Sequence, residues 1–248
     1  MLRFPLCFAI PVVLSLIAVP ANAASETIGG GKISSFSSKL QKPVSLRYLI
    51  WVPSGKAPEG GWPLVIFLHG SGERGNDLHQ TLVHGWPEMA SKGKSFPFIL
   101  VAPQSPAHYD WDVDDIEGLR RRLLHKTHAN PDRVILTGLS MGGIGSWNYA
   151  EAYPDTLAAL IPVCGYGDTD GAERINHLPV WAFHGADDKV VPTDKDQQMV
   201  DELKKVGGNV RFTVYQSVGH DSWDKAYAEP ELIPWLLEQR RPSKKSSR

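Results

Sequence analysis

The sequence predicts an α/β fold, a mostly parallel, doubly wound sheet with helices on both faces. Three observations carry this expectation. Short apolar runs dominated by branched or aromatic residues recur from residue 64 toward the C-terminus, as in strands buried on both faces. Segments with helical apolar spacing alternate with them. Parallel neighbours need crossover connections, which that alternation supplies. With 248 residues, 42% of them apolar and 21% charged, the chain is long enough for one sizeable core, and one domain is expected over residues 24–239.

The first residues stand apart from that core. Arg3 precedes an apolar run, Phe4 to Val19, that ends at Ala21-Asn22-Ala23, a small-residue A-x-A cleavage pattern, so residues 1–23 read as a secretory signal peptide. The run is about 16 residues long and is broken by Pro5 and Pro11, with Pro20 just beyond it, whereas a spanning helix needs roughly 20 apolar residues. Secreted or periplasmic localisation follows, with no stable membrane insertion once the signal is cleaved. Cleavage would remove Cys7 and leave Cys164 as the sole cysteine of two in the chain, excluding an internal disulfide and a cysteine-built zinc site. The nine histidines form no HExxH or HxH cluster, so neither a metal nor another cofactor is expected.

A Ser- and Gly-rich lead, SETIGGGKISSFSSK over residues 25–39, comes next. Val44 to Val52 alternates like a strand and can pair antiparallel at one edge of the sheet; Pro53 to Gly61 is a turn-rich connection. The buried strands are Leu64–Leu68, Phe98–Ala102, Val134–Thr137, Leu157–Val163, Val180–Phe183 and Val210–Tyr215. Val113, Ile116, Leu119, Leu123 and Leu124 mark one helix. Met199, Val200, Leu203 and Val206 mark another, with Thr193 as its expected cap, Asp196 three residues on, and Gly207-Gly208 at its end. A third helix begins after Ser140, and a last one carries Leu232, Trp235, Leu236 and Leu237.

In a doubly wound sheet, ligands bind outside the carboxyl ends of the strands. ILTGLSMGGIGSW, Ile135 to Trp147, sets Ser140 between Gly138 and Gly142 where a strand becomes a helix, which is the pattern of a nucleophile elbow. A serine hydroxyl needs a base, and the base needs an acid to fix its tautomer and stabilise the imidazolium. On such a sheet they follow the serine in the order acid, then histidine. WAFHGADDKVVP, Trp181 to Pro192, runs from a strand into a loop with Asp187 and Asp188, between which the chemistry alone does not choose; YQSVGHDSW, Tyr215 to Trp223, brings His220. For the oxyanion, the backbone N–H of Met141 is one expected donor. VIFLHGSGERGND, Val65 to Asp77, supplies the second from its small-residue loop: Ser71, with Gly72 close behind, while His69 braces the loop. Trp111 and Trp223, in or beside loops, are the candidate substrate-binding aromatics; Trp147 and Trp181 read as core.

Together these segments resemble the secreted α/β-hydrolases of the esterase, phospholipase and "predicted peptidase" group, relatives of dienelactone hydrolase and of feruloyl and polyhydroxybutyrate esterases. The resemblance covers about residues 40 to 240 and rests on PLVIFLHGSGERGND, VAPQSP followed by Trp111, DRVILTGLSMGGIGSW, YPDTLAALIPVCG, VWAFHGADDKVVP and GHDSW, in that order. It implies the α/β-hydrolase fold. It also implies Asp188 as the acid, because the group's H-G-x-x-D-x-x-V-P loop is framed here by His184, Gly185, Val191 and Pro192. The reading is a serine hydrolase of carboxylic esters working through an acyl-enzyme on Ser140, His220 and Asp188, with a small-molecule or carbohydrate-linked ester as substrate. A peptidase would use the same residues. A non-catalytic binding protein on this scaffold is disfavoured, because Ser140, Asp188 and His220 are all retained.

The formal net charge is −1, yet the segment after Gln239 holds Arg240, Arg241, Lys244, Lys245 and Arg248 and no acid. The remainder is mildly acidic and lacks the charge balance of a nucleic-acid-binding body. Residues 240–248 are expected to be a solvated, disordered basic tail.

Overall fold

In the computed structural model, which describes residues 27–39 and 43–241, alternate residues of each central strand enter opposite faces of one sheet. Its strands are β1 (Thr27–Ile28), β2 (Gly31–Lys39), β3 (Pro43–Trp51), β4 (Trp62–Leu68), β5 (Ile99–Gln104), β6 (Ala129–Leu139), β7 (Ala159–Val163), β8 (Val180–Gly185) and β9 (Val210–Tyr215). They lie in the order β1-β2-β3-β5-β4-β6-β7-β8-β9. From β5 to β9 every neighbour is parallel; β1, β2 and β3 join antiparallel.

The helices that cover the sheet are α1 (Gly85–Ser91), α2 (Val113–Lys126), α3 (Met141–Ala152), α4 (Thr193–Lys205), α5 (Trp223–Ala226) and α6 (Leu232–Glu238). Leu64, Ile66 and Leu68 of β4 pack on the side of α2, α3 and α4, in one cluster with Ile116, Leu119, Trp147, Met199 and Leu203. Val65 and Phe67 face the other way, onto Trp86, Tyr227, Leu232 and Leu236 from the α1, α5 and α6 side. A strand buried on both faces has no polar positions to spare, hence its continuous apolar run. Asp112 starts α2 by accepting hydrogen bonds from the amides of Asp114 (2.9 Å) and Asp115 (3.3 Å).

The predicted strands and the four predicted helices all form, with ends shifted by a few residues. Three expectations change. The Ser- and Gly-rich lead, to which the sequence assigns no strand, is paired: β1 and β2 form a hairpin, and β2 pairs with β3 from Lys32 opposite Ile50 to Lys39 opposite Pro43. β3 is therefore an interior strand and not an edge. Its pairing with β2 is a main-chain interaction, which the small polar residues of the lead do not advertise. Thr193 does not cap α4 through its side chain; Pro192 is the capping residue, and the Thr193 hydroxyl donates to the Gly185 carbonyl, while Asp196 turns into the core. Arg241, assigned to the basic tail, is tied down: its guanidinium donates to Asp132 Oδ1 at 2.6 and 3.1 Å, and its amide to the Asp132 carbonyl at 2.8 Å. The expected signal peptide, residues 1–23, and residues 242–248 lie outside the described residues. No helix among the described residues is long and apolar enough to cross a membrane.

The crossing of α3 over the ends of β4 and β6 leaves no room for side chains. A Cβ at Gly142 would sit 2.1 Å from the Leu68 carbonyl oxygen, and one at Gly138 would sit 2.4 Å from the Gly142 oxygen. Both opposing atoms are backbone, so relief requires the elements to separate. Gly142→Ala should lower stability by about 1–3 kcal/mol or more, read from the urea unfolding midpoint. Gly72→Ala, where a Cβ would meet nothing within 4 Å, is the matched control and should stay within about 0.5 kcal/mol of the parent.

Candidate active site

The glycine contacts force the backbone of Ser140, between β6 and α3, into φ 53° and ψ −118°. A non-glycine residue pays about 1–3 kcal/mol for such a conformation and holds it only where its surroundings dictate it. Here the Ser140 amide donates to the Val163 carbonyl at 2.9 Å and lies 3.3 Å from the Cys164 Sγ, while the Ser140 carbonyl accepts the first helical bond, from Ile144, at 3.0 Å. Ser140 is thus held half-buried at the carboxyl end of the sheet.

Two loops at the same end meet it. His220, beyond β9, places its Nε2 2.8 Å from Ser140 Oγ and its Nδ1 2.7 Å from Asp188 Oδ2. Asp188, beyond β8, accepts on Oδ1 from the amides of Val190 (2.8 Å) and Val191 (2.9 Å), which aim its second oxygen at His220. Burial pushes the Asp188 carboxyl up, but the hydrogen bonds from His220, Val191 and Val190 outweigh it and hold the group below the usual carboxylate range. Asp187 is exposed, and its amide is bonded to the Val218 carbonyl at 2.9 Å. Of the two acids left open by the loop's composition, Asp188 is the one in contact with His220.

Ser71 and Met141 line one cavity of about 280 Å³ with Ser140, walled also by Arg74, Trp111 and Tyr166. Met141 is the first residue of α3, where backbone N–H groups have no intrahelical partner. Ser71 opens a 3₁₀ turn, Ser71–Glu73, directly after β4. His69 underpins that turn. Its Nδ1–H donates to the Gly70 carbonyl at 2.6 Å and its Nε2 accepts from the Ser105 amide at 3.0 Å, an assignment in which the ring is neutral. Burial, the largest influence, lowers its pKa to about 4, in agreement with that state.

The aromatic residues divide. Trp111 lines the serine cavity, with its indole N–H on the His69 carbonyl at 3.0 Å. Trp223 instead packs edge-on against the His220 ring, with centroids 5.4 Å apart, and tilts against His84 at 5.0 Å; it is not among the residues lining that cavity. Its position is a brace for the histidine. Trp147 and Trp181 are fully buried. Among the described residues, no group of three or more His, Cys, Asp or Glu is placed to hold a metal ion.

Sequence reasoning missed a buried polar line behind the acid, running from Asp188 to His184, Asp196 and Trp147. His184 stood in the motif only as a frame for Asp188, and Asp196 only as a helix-start residue. Nothing in their local spacing links them.

The dienelactone hydrolase family profile matches residues 106–229, half of the chain. A thermostable esterase of known structure superposes with a TM-score of 0.75 at 32% identity, covering 84% of this chain and 63% of its own. Poly(3-hydroxyalkanoate) depolymerase C of Paucimonas lemoignei is 28% identical over 182 residues, 66% of this chain and 40% of that protein. A probable carboxylesterase of Oryza sativa subsp. japonica is 25% identical over 206 residues, 69% of this chain and 86% of that protein. The chain therefore spans less than two thirds of the esterase and of the depolymerase that it matches. By its matched profile and by a mostly parallel sheet shared with the esterase, this α/β-hydrolase-fold chain belongs to the dienelactone hydrolase family.

Proposed function

We propose that the protein is an exported serine hydrolase of carboxylic esters. One observation carries this reading: His220 bridges Ser140 Oγ at 2.8 Å and Asp188 Oδ2 at 2.7 Å beside a cavity that Ser71 and Met141 also line. Similarity to the probable carboxylesterase of Oryza sativa subsp. japonica, 86% of whose length is matched, supports it.

In this mechanism Ser140 Oγ attacks the ester carbonyl carbon while its proton passes to His220 Nε2. The carbonyl π pair moves onto oxygen, and the backbone N–H groups of Met141 and Ser71 receive the oxyanion. Collapse of the tetrahedral adduct breaks the bond to the alcohol, whose oxygen takes the proton from His220, and leaves the acyl group on Ser140. Water then adds to the acyl carbon and gives a proton to His220. The second collapse releases the acid and returns that proton to Ser140. Throughout, Asp188 stays ionised, keeps the Nδ1–H of His220 in place and stabilises its positive form. A small-molecule ester or a carbohydrate-linked ester is the proposed substrate, its acyl or sugar part resting on Trp111 and Tyr166 in the serine cavity. No cofactor takes part in these steps.

Ser140→Ala should stay folded and lose at least about 10⁴-fold in hydrolysis of p-nitrophenyl esters. An organophosphonate should add its mass to the peptide containing Ser140 in the parent; near-normal turnover by the alanine variant would end this mechanism. Asp188→Asn should lower kcat by roughly 10⁴-fold through the wrong imidazole tautomer, whereas Asp187→Asn should cost about tenfold or less. Circular dichroism must first show both variants folded, and the reverse ranking would assign the acid to the other position. Protein recovered from the producing cells should begin near Ala24; an intact Met1–Ala23 segment by mass spectrometry on exported protein would refute cleavage.

A further inference from the structure

His184, the penultimate residue of β8, has no exposed side-chain surface, and its ring meets acceptors at both nitrogens. Nδ1 lies 3.1 Å from Asp196 Oδ2. Nε2 lies 2.9 Å from the Val191 carbonyl and 3.2 Å from Asp188 Oδ2, the same oxygen that His220 engages at 2.7 Å. A neutral imidazole has one N–H and would set a bare nitrogen lone pair against an oxygen lone pair in the core. The remaining way to avoid that clash is a proton on Asp196. Burial favours it, since Asp196 is completely enclosed and that enclosure holds its carboxyl above the usual carboxylate range. Against it, the Asp196 carboxylate receives two donors, the His184 ring and the Trp147 indole N–H at 3.2 Å, and a second carboxylate stands on the far side of the same imidazole.

We propose that His184 is a positioning residue, a buried imidazolium that bridges Asp196 and Asp188, fixes the orientation of the acid, and draws part of its charge away from His220. The charge state rests on the geometry alone; the kinetic consequence rests on the ester-hydrolase reading above. Burial presses the His184 pKa down, but the hydrogen bond and charge of Asp196, the Val191 carbonyl and the charge of Asp188 outweigh it and raise it. The groups facing this ring are Asp188 from the loop after β8 and Asp196 from α4. The thiol of Cys164, after β7, feels both acids; burial raises it above its ordinary range and keeps it neutral. His220 stands beyond Asp188.

The consequence has a sign. With a cation on one side of Asp188, that carboxylate stabilises a second cation on the other side less than it would alone. Removing the His184 charge should therefore make His220 easier to protonate. A brace with no charge would alter geometry at every pH and leave the titration where it was.

Nitrogen-15 NMR of the histidine rings in the whole parent protein, with backbone-linked assignment, reads the charge directly. His184 should carry protons on both nitrogens at a pH where free histidine is neutral. In His184→Gln, the acid limb of the kcat/KM profile should move to higher pH by roughly one unit. Its kcat should fall about tenfold with KM little changed. If that variant does not fold, His184→Gln combined with Asp196→Asn removes the stranded carboxylate as well, and should show a smaller shift in the same direction. A parent His184 ring with a single proton at that pH, or an acid limb that stays in place in a folded variant, overturns the inference. Phosphonate labelling of the parent separates the two readings: an unlabelled, inactive parent removes the ester-hydrolase proposal while the NMR result still decides the charge of His184.

Discussion

The backbone at Ser140 sits where three pieces of main chain come within contact of one another. α3 presses Gly142 onto the Leu68 and His69 carbonyls, Gly138 passes beneath the Gly142 carbonyl, and Gly143 meets the Val163 carbonyl at the end of β7. A side chain at any of these glycines would hold the elements apart. The strained φ of Ser140 is the result of that closeness. It directs the hydroxyl toward the carboxyl end of the sheet, where the loops after β4, β8 and β9 deliver Ser71, Asp188 and His220. The parallel topology is what makes those loops neighbours: every central strand points the same way, so the turns that follow them share one end of the molecule.

Behind the hydroxyl lies a run of buried polar groups from His220 through Asp188, His184 and Asp196 to Trp147. Burying charges is costly, and several kcal/mol per ion is typical unless each is paired and hydrogen-bonded. Each member here has partners. Asp188 has two loop amides and two imidazoles, and Asp196 has an imidazole and an indole. Such a line fixes one arrangement of β8, its loop, α4 and α3 relative to each other, because a slip in any of them would leave a charge unpaired in the core. His69 does the same for the opposite wall, tying the turn after β4 to the Ser105 amide after β5.

The two apolar layers carry the rest. With Cys164 the free, buried cysteine among the described residues, cohesion falls to packing on both faces of the sheet, where large rings such as Trp86, Trp147, Trp181 and Tyr227 are enclosed. Several also spend their polar atoms on structure: the Trp86 indole donates to the Tyr227 carbonyl at 3.2 Å, and the Tyr227 hydroxyl meets Thr137 at 3.0 Å. The half-buried Trp223 is the exception, packed on the ring of His220 rather than in either layer's centre.

What the sequence by itself determined is what short-range pattern encodes. Continuous apolar runs mark strands buried on both faces, three-to-four spacing marks helices, and a serine between glycines at a strand end marks the turn. Chain order then places an acidic loop and His220 after it. Tertiary structure alone decided which groups touch. It separated Trp111 from Trp223, turned Asp196 inward from its expected place at a helix start, made the Ser- and Gly-rich lead a paired strand, and pinned Arg241 to Asp132. It joined Trp147 to Asp196 and His184 across three elements. Periodicity is a property of one segment and its burial, whereas a hydrogen-bond partner is chosen by how segments distant in sequence are brought together, and no local spacing records that choice.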